Sequence, residues 1–140
     1  MTAELNLSMS NSIADLVRLI QSTEEFLEAH NLPSRVPYLV NLVLEEVLTN
    51  VVKYAFDAGS VHEIRVRVVL SEAEVEIECS DPGKEFNPLA LRDPELGTSI
   101  LACEPGGLGV HLVKKMVDSI DYRRENGINV LTARIGLHRA

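Results

Sequence analysis

Two runs of alternating residues, joined by a short link, constrain this chain more than any other feature. In the first, Ile64, Val66, Val68 and Leu70 alternate with Arg65, Arg67 and Val69. In the second, Val75, Ile77 and Cys79 alternate with Glu74, Glu76 and Glu78. A period of two is that of a strand with one apolar face. Ser71-Glu72-Ala73 between the runs predicts a hairpin, and antiparallel pairing sets the arginines opposite the glutamates on the outer face. A sheet with one apolar face has to be covered, and the chain supplies helices for this.

The first helix is expected from Ser12, with Asp15 completing an imperfect capping box. Ile13, Leu16, Val17, Ile20 and Leu27 give it one apolar stripe, and Asn31 with Pro33 ends it. A second helix is predicted from about Val36 to Phe56. Its apolar coverage is wide, which predicts burial on more than one side, and Gly59 marks its exit. A third is expected near Gly109, carrying Val110, Val113, Met116 and Val117. Residues Glu4 to Met9 read as a short edge strand. Strands around Ile120–Arg124 and Asn129–Ile135 close the chain, with Asn126-Gly127 as a hairpin turn between them. The stretch from Asp81 to Gly107 is rich in Pro and Gly and reads as a functional loop or lid. The fold class that follows is an α/β two-layer sandwich: a mixed, mostly antiparallel sheet with three helices on one face.

Bulk properties narrow the function. The chain has 140 residues, 46% hydrophobic and 24% charged, an ordinary balance for one globular domain spanning 1–140. The net charge of −8 argues against nucleic acid as a partner, which would call for a basic face. Cys79 and Cys103 form neither a disulfide framework nor a zinc pattern. No apolar run approaches membrane-spanning length and the N-terminus lacks a signal pattern, so a cytoplasmic protein without membrane contact is expected.

Three polar motifs carry the chemistry. Glu46 and Asn50 share one face of the largely buried second helix, with Lys53 near it. Buried polar groups need partners, and Mg²⁺ with a triphosphate would provide them. Asp81-Pro82-Gly83 follows a strand, and parity turns Asp81 inward with Val75, Ile77 and Cys79. An inward carboxylate needs a donor, and the exocyclic amine of adenine is a suitable one; Gly83 would let the base approach the backbone. Gly106-Gly107-Leu108-Gly109 opens the third helix, where free backbone N–H groups form an anion site. Each motif has a plainer alternative: a solvated stripe, an ordinary turn, a flexible loop.

Taken in order, these motifs resemble the histidine-kinase, gyrase and Hsp90 type of ATP-binding domain (the Bergerat-type fold), from Val36 to Ile135. More narrowly, Glu46-Val47-Leu48-Thr49-Asn50, Asp81-Pro82-Gly83 with Phe86-Asn87-Pro88, and Gly107 to Val113 resemble the anti-sigma-factor serine kinases of bacterial partner-switching modules. Asn129-Val130-Leu131-Thr132 fits the same group. The resemblance implies that Glu46 is the general base and that Asn50 ligates Mg²⁺. It implies that Asp81 and Gly83 receive adenine, with Thr132 assisting. Gly107, Leu108, Gly109 and Val110 would meet the phosphates, and Lys53 joins the ATP-binding set. Two departures stand out: Tyr54 occupies a position where this family often has His, and Arg92 is the one cation of the lid from about Leu89 to Pro105, before the glycines. Strand parity runs against Thr132: if Leu131, Ala133 and Ile135 face the core, Thr132 faces away.

The expected function is therefore a serine/threonine protein kinase using ATP and Mg²⁺. It would phosphorylate an anti-sigma-factor antagonist, have a sigma factor as second partner, and form a homodimer. A non-catalytic ATP-sensing module is the alternative from another class; Glu46 favours the kinase. The catalytic half of a two-component kinase is a third, weakened because no helical hairpin with a phospho-acceptor His fits before Val36.

Overall fold

A computed structural model describes residues 2–57, 59–90 and 107–138. Strand β1 (Ala3–Ser10) leads to helices α1 (Ile13–Glu28) and α2 (Arg35–Tyr54). Strands β2 (Glu63–Leu70) and β3 (Glu74–Asp81) follow, then a single 3₁₀ turn at Pro88–Ala90. Helix α3 (Gly107–Met116) and strands β4 (Ser119–Glu125) and β5 (Ile128–Gly136) complete the order. Most of the expected lid, with Arg92 and Cys103, lies outside the described residues.

The strands form one sheet in the order β1-β2-β3-β5-β4, and all four pairings are antiparallel. The sandwich is as expected, but no parallel pair occurs among the described residues. β1 is the edge strand the sequence predicts. Arg67 stands opposite Glu78, and the Arg67 guanidinium also meets Glu4 across β1 at 2.6 Å. Such exposed pairs contribute at most about 1 kcal/mol, so register comes from the inward face. There Val66, Val68, Val75 and Ile77 are almost wholly buried. A one-residue slip would expose all of them.

Local signals set the element ends. Ser12 Oγ accepts from the Asp15 N–H at 3.3 Å, capping α1. The Asp15 carboxylate reaches back two residues beyond the Ser12 N–H that a capping box would use, accepting from Ser10 N at 2.9 Å and Ser10 Oγ at 2.7 Å. Asn126 and Gly127 have φ of 50° and 78°, as a tight hairpin turn requires.

Helix α2 is the centre of the helical layer. Val36, Val40, Val43, Leu44, Val47 and Leu48 are fully buried, sealed between the sheet and helices α1 and α3. Each such side chain contributes roughly 1.5–3 kcal/mol. That packing fixes the rotation of α2 and hence where its few polar side chains emerge. Cys79 is a core residue, and burial pushes its thiol up to about 12, so it is unreactive at neutral pH.

Candidate functional site

Glu46 and Asn50 emerge from α2 on the side where α3 begins. The Asn50 side chain is 1% exposed. Its Nδ2 donates to the Glu46 carbonyl at 2.8 Å, which fixes the amide orientation. Its Oδ1 is buried and has no hydrogen-bond partner among the described residues. An orphaned carbonyl oxygen costs roughly 1–3 kcal/mol, so a native partner is called for. Mg²⁺ takes such an oxygen. Among the described residues no cluster of His, Cys, Asp and Glu could hold a metal. Asn50 Oδ1 fits as a protein ligand of such an ion.

The Glu46 carboxylate lies directly against Gly109, in the first turn of α3. A Cβ at 109 would overlap both carboxylate oxygens. Glycine at this position is thus a matter of space. The pKa of the Glu46 carboxyl is raised from its ordinary value by burial and by the Glu45 charge, while Lys53 pulls it down. A half-buried acid raised in this way has the profile of a general base. Lys53 itself is exposed near the end of α2. α3 starts at Gly107, so the N–H groups of its first turn are free of intrahelical partners. Val110 is 1% exposed and packs into the protein, so only its backbone can serve a ligand.

Asp81 ends β3 facing the helices and is 5% exposed. Its Oδ1 accepts from Gly83 N at 2.9 Å and from Asn129 Nδ2 at 3.0 Å. Burial raises its pKa, while these two bonds and the Arg124 charge oppose the rise. Gly83 is needed for a reason the sequence did not suggest. A Cβ there would sit 2.5 Å from the Ala55 carbonyl oxygen, so the loop packs onto the end of α2. The neighbouring Lys84 N–H donates to that same carbonyl at 2.8 Å. Tyr54 leans on Phe86, with ring centroids 5.5 Å apart, in the same corner.

Thr132 is not brought to this site. It pairs with Glu78 and Asp121 in the sheet, whereas Asp81 pairs with Asn129. Strand alternation therefore puts Thr132 on the sheet face away from the helices, and its role toward adenine is withdrawn. The residue beside Asp81 is Asn129, buried to 4% exposure. Sequence reading missed its role, together with Tyr122 and Arg124. The inward parity of Leu131, Ala133 and Ile135 extends to 129, so an inward Asn facing an inward Asp was the available signal.

A two-layer sandwich with Glu and Asn on a buried helix, an inward Asp at a strand end and a glycine-opened helix defines a nucleotide-binding class. The chain belongs to the histidine kinase-like ATPase domain family, whose model matches residues 9–135. It is similar to the serine/threonine-protein kinase BtrW of Bordetella bronchiseptica, 29% identical over 99 residues, covering 71% of this chain and 70% of that protein. It is also similar to the serine-protein kinase RsbW of Listeria monocytogenes, 28% identical over 100 residues, covering 68% of this chain and 63% of the relative. The RsbW of Halalkalibacterium halodurans is 29% identical over 93 residues, or 64% of this chain and 56% of the relative. The matched region thus spans less than two thirds of the RsbW relatives. Among the described residues no helix is long and apolar enough to cross a membrane.

Proposed function

We propose that the chain is a Mg-ATP-dependent serine/threonine protein kinase that phosphorylates an antagonist protein and binds a sigma factor as its other partner. Residues 1–140 would act as one ATP-binding domain, in a cytoplasmic homodimer. The observation that carries the reading is the Glu46 carboxylate: raised in pKa, without a protein hydrogen bond among the described residues, and pressed against the first turn of α3. The names of the relatives support the kinase class.

Asp81 would hold the adenine amine, which fixes one end of the nucleotide. The first-turn N–H groups of α3 would receive phosphate oxygens, since a helix N-terminus favours anions. Mg²⁺ bound through Asn50 Oδ1 would supply charge neutralisation at the phosphates. Glu46 would take the proton of a substrate serine as its oxygen bonds to the γ-phosphorus. The bond from the γ-phosphorus to the bridging oxygen would break as the new one forms, and ADP would leave with that electron pair. Positioning carries most of this chemistry, and a general base adds about 10²–10⁴-fold. The test is transfer of labelled γ-phosphate to serine on a candidate antagonist, located by mass spectrometry. No transfer to any antagonist, with ATP bound, would favour a sensing module.

A further inference from the structure

Asn129 holds an unusual load for one amide. Its Nδ2 donates to Asp81 Oδ1 at 3.0 Å and to the Lys84 carbonyl at 2.7 Å. Its Oδ1 accepts from Phe86 N at 3.2 Å, Tyr122 Oη at 2.6 Å and an Arg124 guanidinium nitrogen at 2.9 Å. The same guanidinium nitrogen donates to the Gly83 carbonyl at 2.8 Å. An amide has two N–H donors and one acceptor oxygen, so both ends are saturated. Turning the amide over would set its NH₂ against two obligate donors, Phe86 N–H and Arg124, and its oxygen against the Asp81 carboxylate and the Lys84 carbonyl. Asn129 therefore always presents an N–H to Asp81. One side chain thus ties the end of β3, the loop through Phe86 and the hairpin of β4 and β5 to a single orientation.

We propose that Asn129, locked by Tyr122 and Arg124, is the positioning residue that makes Asp81 select an amino group over a carbonyl at position 6 of a bound purine. This rests on the reading that Asp81 meets the base. Asp81 Oδ1 is committed to Asn129 and Gly83, which leaves Oδ2 to the ligand. While ionised, Asp81 can only accept. A 6-amino purine donates to it; a 6-oxo purine presents a second oxygen and is repelled. A protonated Asp81 would instead donate to that oxygen and lose the discrimination. Burial favours the protonated form, and the Asn129 N–H opposes it. Sites built on a buried hydrogen bond discriminate strongly, because the wrong ligand leaves a polar group unpaired.

The test is calorimetric titration of the intact chain with ADP and with IDP. The variants are Tyr122→Phe, Arg124→Met, the two combined, and Asn129→Ala, with thermal unfolding run alongside. Wild type is expected to prefer ADP by about 100-fold or more. The combined variant should lower that preference roughly tenfold while still binding ADP, and Asn129→Ala should lower it further. Should Asn129→Ala fail to fold, the combined variant decides, because Tyr122 and Arg124 both reach solvent. Equal weakening of ADP and IDP, with the ratio unchanged, would make the cluster merely structural and overturn the proposal. Wild type that binds both nucleotides equally would overturn it differently, by removing Asp81 from the base.

Discussion

The Glu46 carboxylate fills the space that a side chain at Gly109 would need, so α2 and α3 meet at an acid and a glycine. Gly109→Ala is therefore a functional lesion more than a structural one. Alanine favours a helix over glycine by about 1 kcal/mol, which offsets part of the crowding. The carboxylate, at the end of a flexible side chain, can swing aside. Thermal unfolding should shift by only a few degrees, while phosphotransfer falls about tenfold or more. Unchanged phosphotransfer in Gly109→Ala would mean that the carboxylate's position does not matter.

Glu46 also predicts a pH dependence. Its pKa is raised from a glutamate's ordinary value, through burial first and the Glu45 charge second. A base acts only when ionised, so transfer should fall as pH drops through that raised pKa. Removing the Glu45 charge lowers the pKa, so Glu45→Gln should move the acid limb to lower pH. Removing the Lys53 charge does the reverse, so Lys53→Met should move it up. Rate profiles of the three proteins at saturating ATP check the order. Coincident limbs would remove Glu46 from the titration.

Asp81→Asn should keep the fold and lose the nucleotide. An asparagine oxygen can still accept from Gly83 N and Asn129 Nδ2, the two bonds now on Oδ1. Its other atom becomes a donor facing the adenine amine, itself a donor. ATP and ADP affinity should fall together, roughly tenfold or more, because the lost contact is to the base. Calorimetry with both nucleotides checks this; a loss confined to ATP would place Asp81 at the phosphates.

Gly83→Ala tests the loop packing. The added Cβ meets the Ala55 carbonyl, a backbone atom that cannot rotate away. Overpacking of this kind costs about 1–3 kcal/mol. Unfolding should occur several degrees lower, and a wild-type melting curve would show that the loop yields freely.

What the sequence made legible was local. The Arg and Glu alternation gave the β2–β3 hairpin and its faces, Ser12 with Asp15 gave the start of α1, and Asn126-Gly127 gave the last turn. These signals work because neighbours in sequence are neighbours in space. The site was legible only as separate motifs. Asn129 and Asp81 touch across a sequence separation of 48 residues, and no spacing rule joins them. Gly109 reads as a phosphate-loop glycine, whereas the structure adds that Glu46 needs its missing side chain. Thr132 was misplaced because a motif was followed against the parity of its own strand. Helical coverage of α2, by contrast, was visible throughout, since a buried helix has to be apolar on most sides.

The central claim is that Glu46 is the base of a phosphotransfer, and Glu46→Gln tests it most directly. Glutamine keeps the size and the fit beside Gly109 but cannot accept a proton. The measurement is phosphate incorporation into a cognate antagonist, with ATP titration of the same samples and Glu45→Gln as control. Glu45 lies about 100° around the helix and is exposed. The account predicts unchanged ATP affinity, transfer reduced by about 10²-fold or more in Glu46→Gln, and near wild-type transfer in Glu45→Gln. Transfer by Glu46→Gln at the wild-type rate would contradict it.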